Sequence, residues 1–123
     1  MNFLVVFLGG GFGAIVRYLL SLIMPKSICA VPYCTLLANF LGCFFATLVF
    51  SYFVVKTDFN PLYKTFLITG FCGGLSTLST LSLEVLEYMQ SGDYARGIAY
   101  IVLSIVICLC SVILALVFVK KYL

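Results

Sequence analysis

Histidine and tryptophan are missing from this chain, and charge is nearly so: Lys, Arg, Asp and Glu make up 9% of its 123 residues. Without histidine, the commonest metal ligand and the usual general base near neutral pH are gone. Soluble domains carry roughly 25% charged residues, so this chain has too little charge to wet its whole surface. At 64% hydrophobic residues and a mean hydropathy of +1.25, it reads as an integral membrane protein with no separate soluble domain. The net charge of +3 is small and no basic run occurs, so there is no footprint for nucleic acid.

Acid is missing where a proton-coupled carrier needs it. The first acidic residue is Asp58, so the first two apolar segments hold no carboxylate. That disfavours a small proton-coupled multidrug exporter, an alternative class for a short multi-span chain, which needs an acid inside the membrane. Metal-type cysteine spacing is absent too. Cys29, Cys34, Cys43, Cys72, Cys108 and Cys110 include no C-x-x-C pair, and they read as small buried hydrophobes. No basic stretch or cleavage signal precedes the first glycine cluster, so the first segment reads as a retained span.

What is present is four apolar runs, each long enough for the roughly 20 residues a span requires. They cover about residues 3–24, 33–55, 62–89 and 94–119, and residues 1–123 form a single transmembrane domain. Pro25, Lys26 and Pro32 mark the first loop, Lys56–Pro61 the second, Ser91-Gly92-Asp93 the third, and Lys120 and Lys121 end span 4. Span 3 as one straight helix would be about 42 Å long, against a hydrocarbon core of about 30 Å. It has to tilt, protrude or break, and Gly70, Gly73 and Gly74 are where a break is expected. Lys56, Lys64, Lys120 and Lys121 lie on one side. Lys26 and Arg96, with Arg17 if it snorkels that way, lie on the other. So weak a bias favours the N-terminus inside only slightly and allows insertion in both orientations.

Each span carries a small or polar stripe. Gly9, Gly13, Arg17 and Ser21 share a face of span 1, and Gly9-x-x-x-Gly13 is a close-packing pattern. Thr35, Asn39, Gly42 and Cys43 line span 2; Gly97, Tyr100, Ser104, Cys108 and Ser111 line span 4. Asn39 is mid-span, where an unpaired amide is costly. It is either an interhelical hydrogen bond or a donor lining an ion path. Arg17 is either an anchor reaching the headgroups or a positive charge drawing anions to an entrance. Ser76, Thr77, Ser79, Thr80 and Ser82 follow the glycines. Each hydroxyl alone could bond back to its own helix, but five together after a break indicate a transport path. Glu84 follows this ladder; with Glu87 it could equally be the wet end of span 3.

Three ordered motifs carry a resemblance. Gly9-Gly-Gly-Phe-Gly-Ala-Ile-Val-Arg17-Tyr, Thr35-Leu-Leu-Ala-Asn39-Phe-Leu-Gly42, and Thr69-Gly-Phe-Cys-Gly73-Gly-Leu-Ser76-Thr-Leu-Ser-Thr-Leu-Ser are similar to the span 1, 2 and 3 patterns of the Fluc/CrcB fluoride channels. The resemblance covers nearly the whole chain. It implies an all-α membrane protein with a broken third helix, forming an antiparallel dual-topology dimer in the cell membrane. It implies passive, selective fluoride export with no catalysis, through two pores each lined by both subunits. A structural sodium ion at the dimer centre is implied on the backbone carbonyls of Gly73 and Ser76. The pore positions fall on Asn39, Leu78, Ser79, Thr80, Leu81, Tyr100, Ser104 and Glu84, with Arg17 at the entrance.

One departure stands out. The family signature ends Thr-Thr-Phe-Ser-Thr-Phe, and its two phenylalanines box the ion; here they are Leu78 and Leu81. A phenyl ring presents a positive edge that leucine lacks. Either the chain conducts by its amide and hydroxyls, or it pairs with a paralogous subunit in a heterodimer that completes the pore, or it does not conduct. The heterodimer is the reading favoured for a natural chain, and a non-transporting regulatory subunit is a further alternative.

Overall fold

Four helical runs are long and apolar enough to cross a membrane. A computed structural model describes residues 2–24, 31–55 and 60–122. Cys29, Lys26, Lys56 and Asp58, which the sequence assigns to loops, lie outside the described residues. Helix α1 spans Asn2–Ile23 and α2 spans Tyr33–Val55. The third span is composite: α3 (Pro61–Lys64), a π-helical stretch (Thr65–Cys72), α4 (Gly73–Leu75), then α5 (Leu78–Gln90). The last span, α6, runs Tyr94–Tyr122 and carries Lys120 and Lys121 in its final turn, past the predicted end of span 4. No strand longer than a single bridge residue occurs among the described residues.

The helix ends follow local chemistry. Asn60 accepts the Leu62 amide at 3.0 Å and Pro61 sits at the first helical position, where its missing N–H costs nothing. Between α5 and α6 the chain reverses at Gly92, whose φ of 78° is open to glycine at no steric penalty. Asp93 then caps α6, taking the Arg96 amide at 3.2 Å.

Burial is inverted relative to a soluble protein. Phe3, Phe7, Phe12, Ile98, Val102 and Ile113 point outward, as suits a lipid solvent. Fully covered positions are few, and they include the small or polar Gly9, Gly13, Ala38, Ser104 and Ser111 beside Leu75 and Tyr100. Without a hydrophobic drive between helices in lipid, close backbone approach supplies the packing. A Cβ on Gly9 would lie 2.5 Å from the Phe66 carbonyl oxygen; one on Gly13 would collide with that of Phe71, and one on Gly74 with that of Gly10. The Gly9-x-x-x-Gly13 face of α1 therefore lies directly on the backbone of the third span.

This changes the reading of the third-span glycines. Gly70 belongs to the π-helical stretch and Gly73 has helical dihedrals, φ −64° and ψ −34°. Neither takes a positive φ. The interruption falls past the glycines, at Ser76 (φ −75°, ψ 152°) and Thr77 (φ −151°, ψ 121°). Gly70 and Gly74 serve contact with α1. The expectation that the chain breaks at the glycines mistook close packing for conformational release.

Candidate ion pathway

The interruption at Ser76–Thr77 is held from α2. The Thr77 amide donates to Asn39 Oδ1 at 2.6 Å, and Asn39 Nδ2 donates to the Thr77 carbonyl at 3.1 Å. One side-chain amide thus bonds both backbone groups of a residue that has left its helix, where orphan groups inside a membrane are costly. Gly42, one turn along α2, leaves room: a Cβ there would lie 2.9 Å from the Ser76 Cβ. Thr77 also caps α5, accepting the Thr80 amide at 3.2 Å.

These diversions free carbonyl oxygens. In a continuous helix the Thr77 amide would close on Gly73 and the Thr80 amide on Ser76; here they bond Asn39 and the Thr77 hydroxyl. Gly73 is exposed on the chain surface, and a Cβ there would meet nothing nearer than the Ile68 oxygen at 3.7 Å.

The hydroxyl ladder divides in two. Ser76 bonds back to the Cys72 carbonyl at 2.9 Å and Ser82 to that of Leu78 at 2.9 Å. Ser79, Thr80 and Thr77 bond one another: Thr77 Oγ1 lies 3.0 Å from Thr80 Oγ1 and 3.2 Å from Ser79 Oγ. Arg17 Nη1 donates to Thr80 Oγ1 at 3.3 Å. Its guanidinium is directed into the bundle, and its buried Nε has no protein partner among the described residues. Below it, Glu84 accepts from Thr35 Oγ1 and from the Tyr100 hydroxyl, both at 2.6 Å. Arg17, Thr77, Thr80, Thr35 and Glu84 line one cleft of about 550 Å³. Opposite charges face this cleft, yet the ion pair among the described residues is Arg96–Asp93, on the surface.

A second, more apolar groove of about 370 Å³ opens on the other side of Thr77, lined by Asn39, Ser76, Leu78, Leu81, Ser104 and their neighbours on α2 and α6. Its two leucines differ. Leu78 is 76% exposed, whereas Leu81 is 8% exposed and packs with Leu36, Val85 and Tyr100. Ser104 bonds back to the Tyr100 carbonyl at 2.8 Å. The structure thus gathers Arg17, Thr80 and Glu84 around the first cleft, with Tyr100 behind Glu84, and Asn39, Ser104, Leu78 and Leu81 around the second. Thr77 joins them.

Sequence reasoning undervalued two residues. Thr35 was readable as a stripe position one turn before Asn39, but not as a partner of Glu84, 49 positions away. Thr77 reads from sequence as one rung of the hydroxyl ladder; its role as both cap and target of Asn39 depends on a contact between helices.

Residues 4–116 match the family described as CrcB-like protein, Camphor Resistance (CrcB). The chain is 37% identical over 119 residues to fluoride-specific ion channel FluC 1 of Yersinia pestis, covering 97% of this chain and 94% of that protein. It is 38% identical over 102 residues to the fluoride-specific ion channels FluC of Salmonella arizonae and Salmonella paratyphi B, covering 83% of this chain and 80% of each. With four membrane-spanning helices and a match along nearly its whole length, this multi-pass membrane chain belongs to the CrcB family.

Proposed function

We propose that this chain is a pore-forming subunit of a fluoride channel, passing the ion down its gradient with no bond made or broken. The observation that carries this reading is the extended Ser76–Thr77 segment in mid-span, its peptide held by Asn39 and flanked by the Thr77, Ser79 and Thr80 hydroxyls. Neutral donors suit a small dehydrated anion: they replace hydration without a charge that would trap it. The Arg17 guanidinium offers the attraction at the entrance, and the Tyr100 and Thr35 hydroxyls with Glu84 continue the polar track.

A dimer follows from what the single chain leaves uncovered. Gly73, Leu78 and Ser79 are exposed beside the interruption, where lipid would meet freed backbone. A second chain, inserted antiparallel, covers them. The carbonyls of Gly73 and Ser76, released from their helical amides, are the neutral oxygen donors an alkali cation takes. They would hold a sodium ion at the dimer centre, and its charge would tie the two interruptions together.

The exposure of Leu78 favours a second version of the same function. At this outward position the chain offers no aromatic edge to an anion, and a paralogous partner would supply it. Fluoride efflux from liposomes, with this chain alone and mixed with such a partner, tests both versions. Efflux in either preparation, with chloride retained, is expected; its absence in both rules out the channel.

A further inference from the structure

The cysteines are the part of the sequence that the polar path does not use. Among the described residues they are free thiols, and two of them are placed together. Cys43 stands near the middle of α2, Cys108 near the middle of α6, and both line the groove beside Asn39, Leu78 and Leu81. They face the groove from two helices that pack directly against each other. Both are half-buried, so an ion entering the groove reaches both sulfurs.

Two thiols narrow the choice of ligand. No group of three or more His, Cys, Asp or Glu side chains able to hold a metal occurs among the described residues, which excludes the four-ligand cage of structural zinc. Hard cations prefer oxygen. Soft d10 ions with a linear, two-coordinate preference need two sulfurs and nothing more. Charge narrows it further, because a net charge at mid-membrane is costly. A divalent ion that displaces both protons leaves the site neutral: Hg2+ plus two thiols gives a neutral bis-thiolate and two protons released to water.

We infer that Cys43 and Cys108 form a two-sulfur site for a soft, linearly coordinated d10 cation, whose occupation obstructs the groove beside Asn39. Binding is independent of what the groove carries; the obstruction of flux rests on the fluoride-channel reading.

The test uses the full chain with mercuric ion as probe. Mercury retained through gel filtration is measured by elemental analysis, and thiols lost per mercury by maleimide titration. The expected result is a single retained mercury consuming two thiols, in the natural chain and in a Cys34→Ser, Cys110→Ser variant. Cys34 lines the other cleft and Cys110 is exposed. Cys43→Ser and Cys108→Ser should each lose the two-thiol mercury while eluting as the parent does, and Cys72→Ser should keep it. Mercury should also stop fluoride efflux in the parent, reversibly with dithiothreitol, and leave efflux in Cys108→Ser unchanged. Two-thiol binding that survives either single replacement, or mercury consuming only one thiol, overturns the site. Binding as expected without any flux to block leaves the site standing and counts against the channel reading instead.

Discussion

Asn39 and Thr77 are joined by a reciprocal pair of hydrogen bonds, amide to Oδ1 at 2.6 Å and Nδ2 to carbonyl at 3.1 Å, across 38 residues of sequence. The pair ties the middle of α2 to the extended Ser76–Thr77 segment of the third span. Asn39 is thus first a fastener of the interruption, and it also borders the groove lined by Leu78, Leu81 and Ser104.

Replacing Asn39 by Asp keeps an acceptor for the Thr77 amide but removes the donor to its carbonyl and adds a charge. Fluoride efflux is expected to fall sharply. Asn39→Ala should destabilise the fold by about 1–3 kcal/mol, the cost of a buried group left unpaired, read in detergent unfolding. Efflux unchanged in Asn39→Asp would falsify this role.

The two leucines should respond differently to phenylalanine. Leu78 is exposed and accepts a ring without repacking; Leu81 sits against Leu36, Val85 and Tyr100. Leu81→Phe is expected to cost about 1–3 kcal/mol by overpacking, whereas Leu78→Phe is expected to keep stability and raise fluoride efflux from liposomes that hold this chain alone. Equal thermal stability of the two variants contradicts this assignment.

On α1, position decides tolerance. Gly13→Ala drives a Cβ into the Phe71 carbonyl, while Gly11→Ala meets nothing within 4 Å. The first should lower stability by about 1–3 kcal/mol and reduce folded yield; the second should behave as the parent. Matching unfolding midpoints would mean that α1 does not lie on the third span as described.

Glu84 takes two hydroxyl donors, so Tyr100→Phe and Thr35→Val each remove one. A double-mutant cycle on efflux should show the pair to be non-additive, as expected for groups sharing one partner. Additive losses would show that the two hydroxyls do not act through Glu84.

Membrane class and the four spans were legible because they depend on composition and run length, and a bilayer punishes unpaired polarity along any span. Asn39, Arg17 and the hydroxyls were legible as candidates for the same reason: polar groups in such runs are few. The glycines were misleading. Gly9, Gly13, Gly70 and Gly74 are small because two backbones touch, and sequence alone does not separate a glycine needed for contact from one needed for a turn.

By itself, the sequence determined the solvent this protein folds in, the number of its spans and the short set of polar residues inside them. Only the tertiary structure decided where the third span opens. That choice belongs to Asn39: its amide is the partner that compensates the Thr77 peptide for leaving the helix, and it lies on another helix altogether.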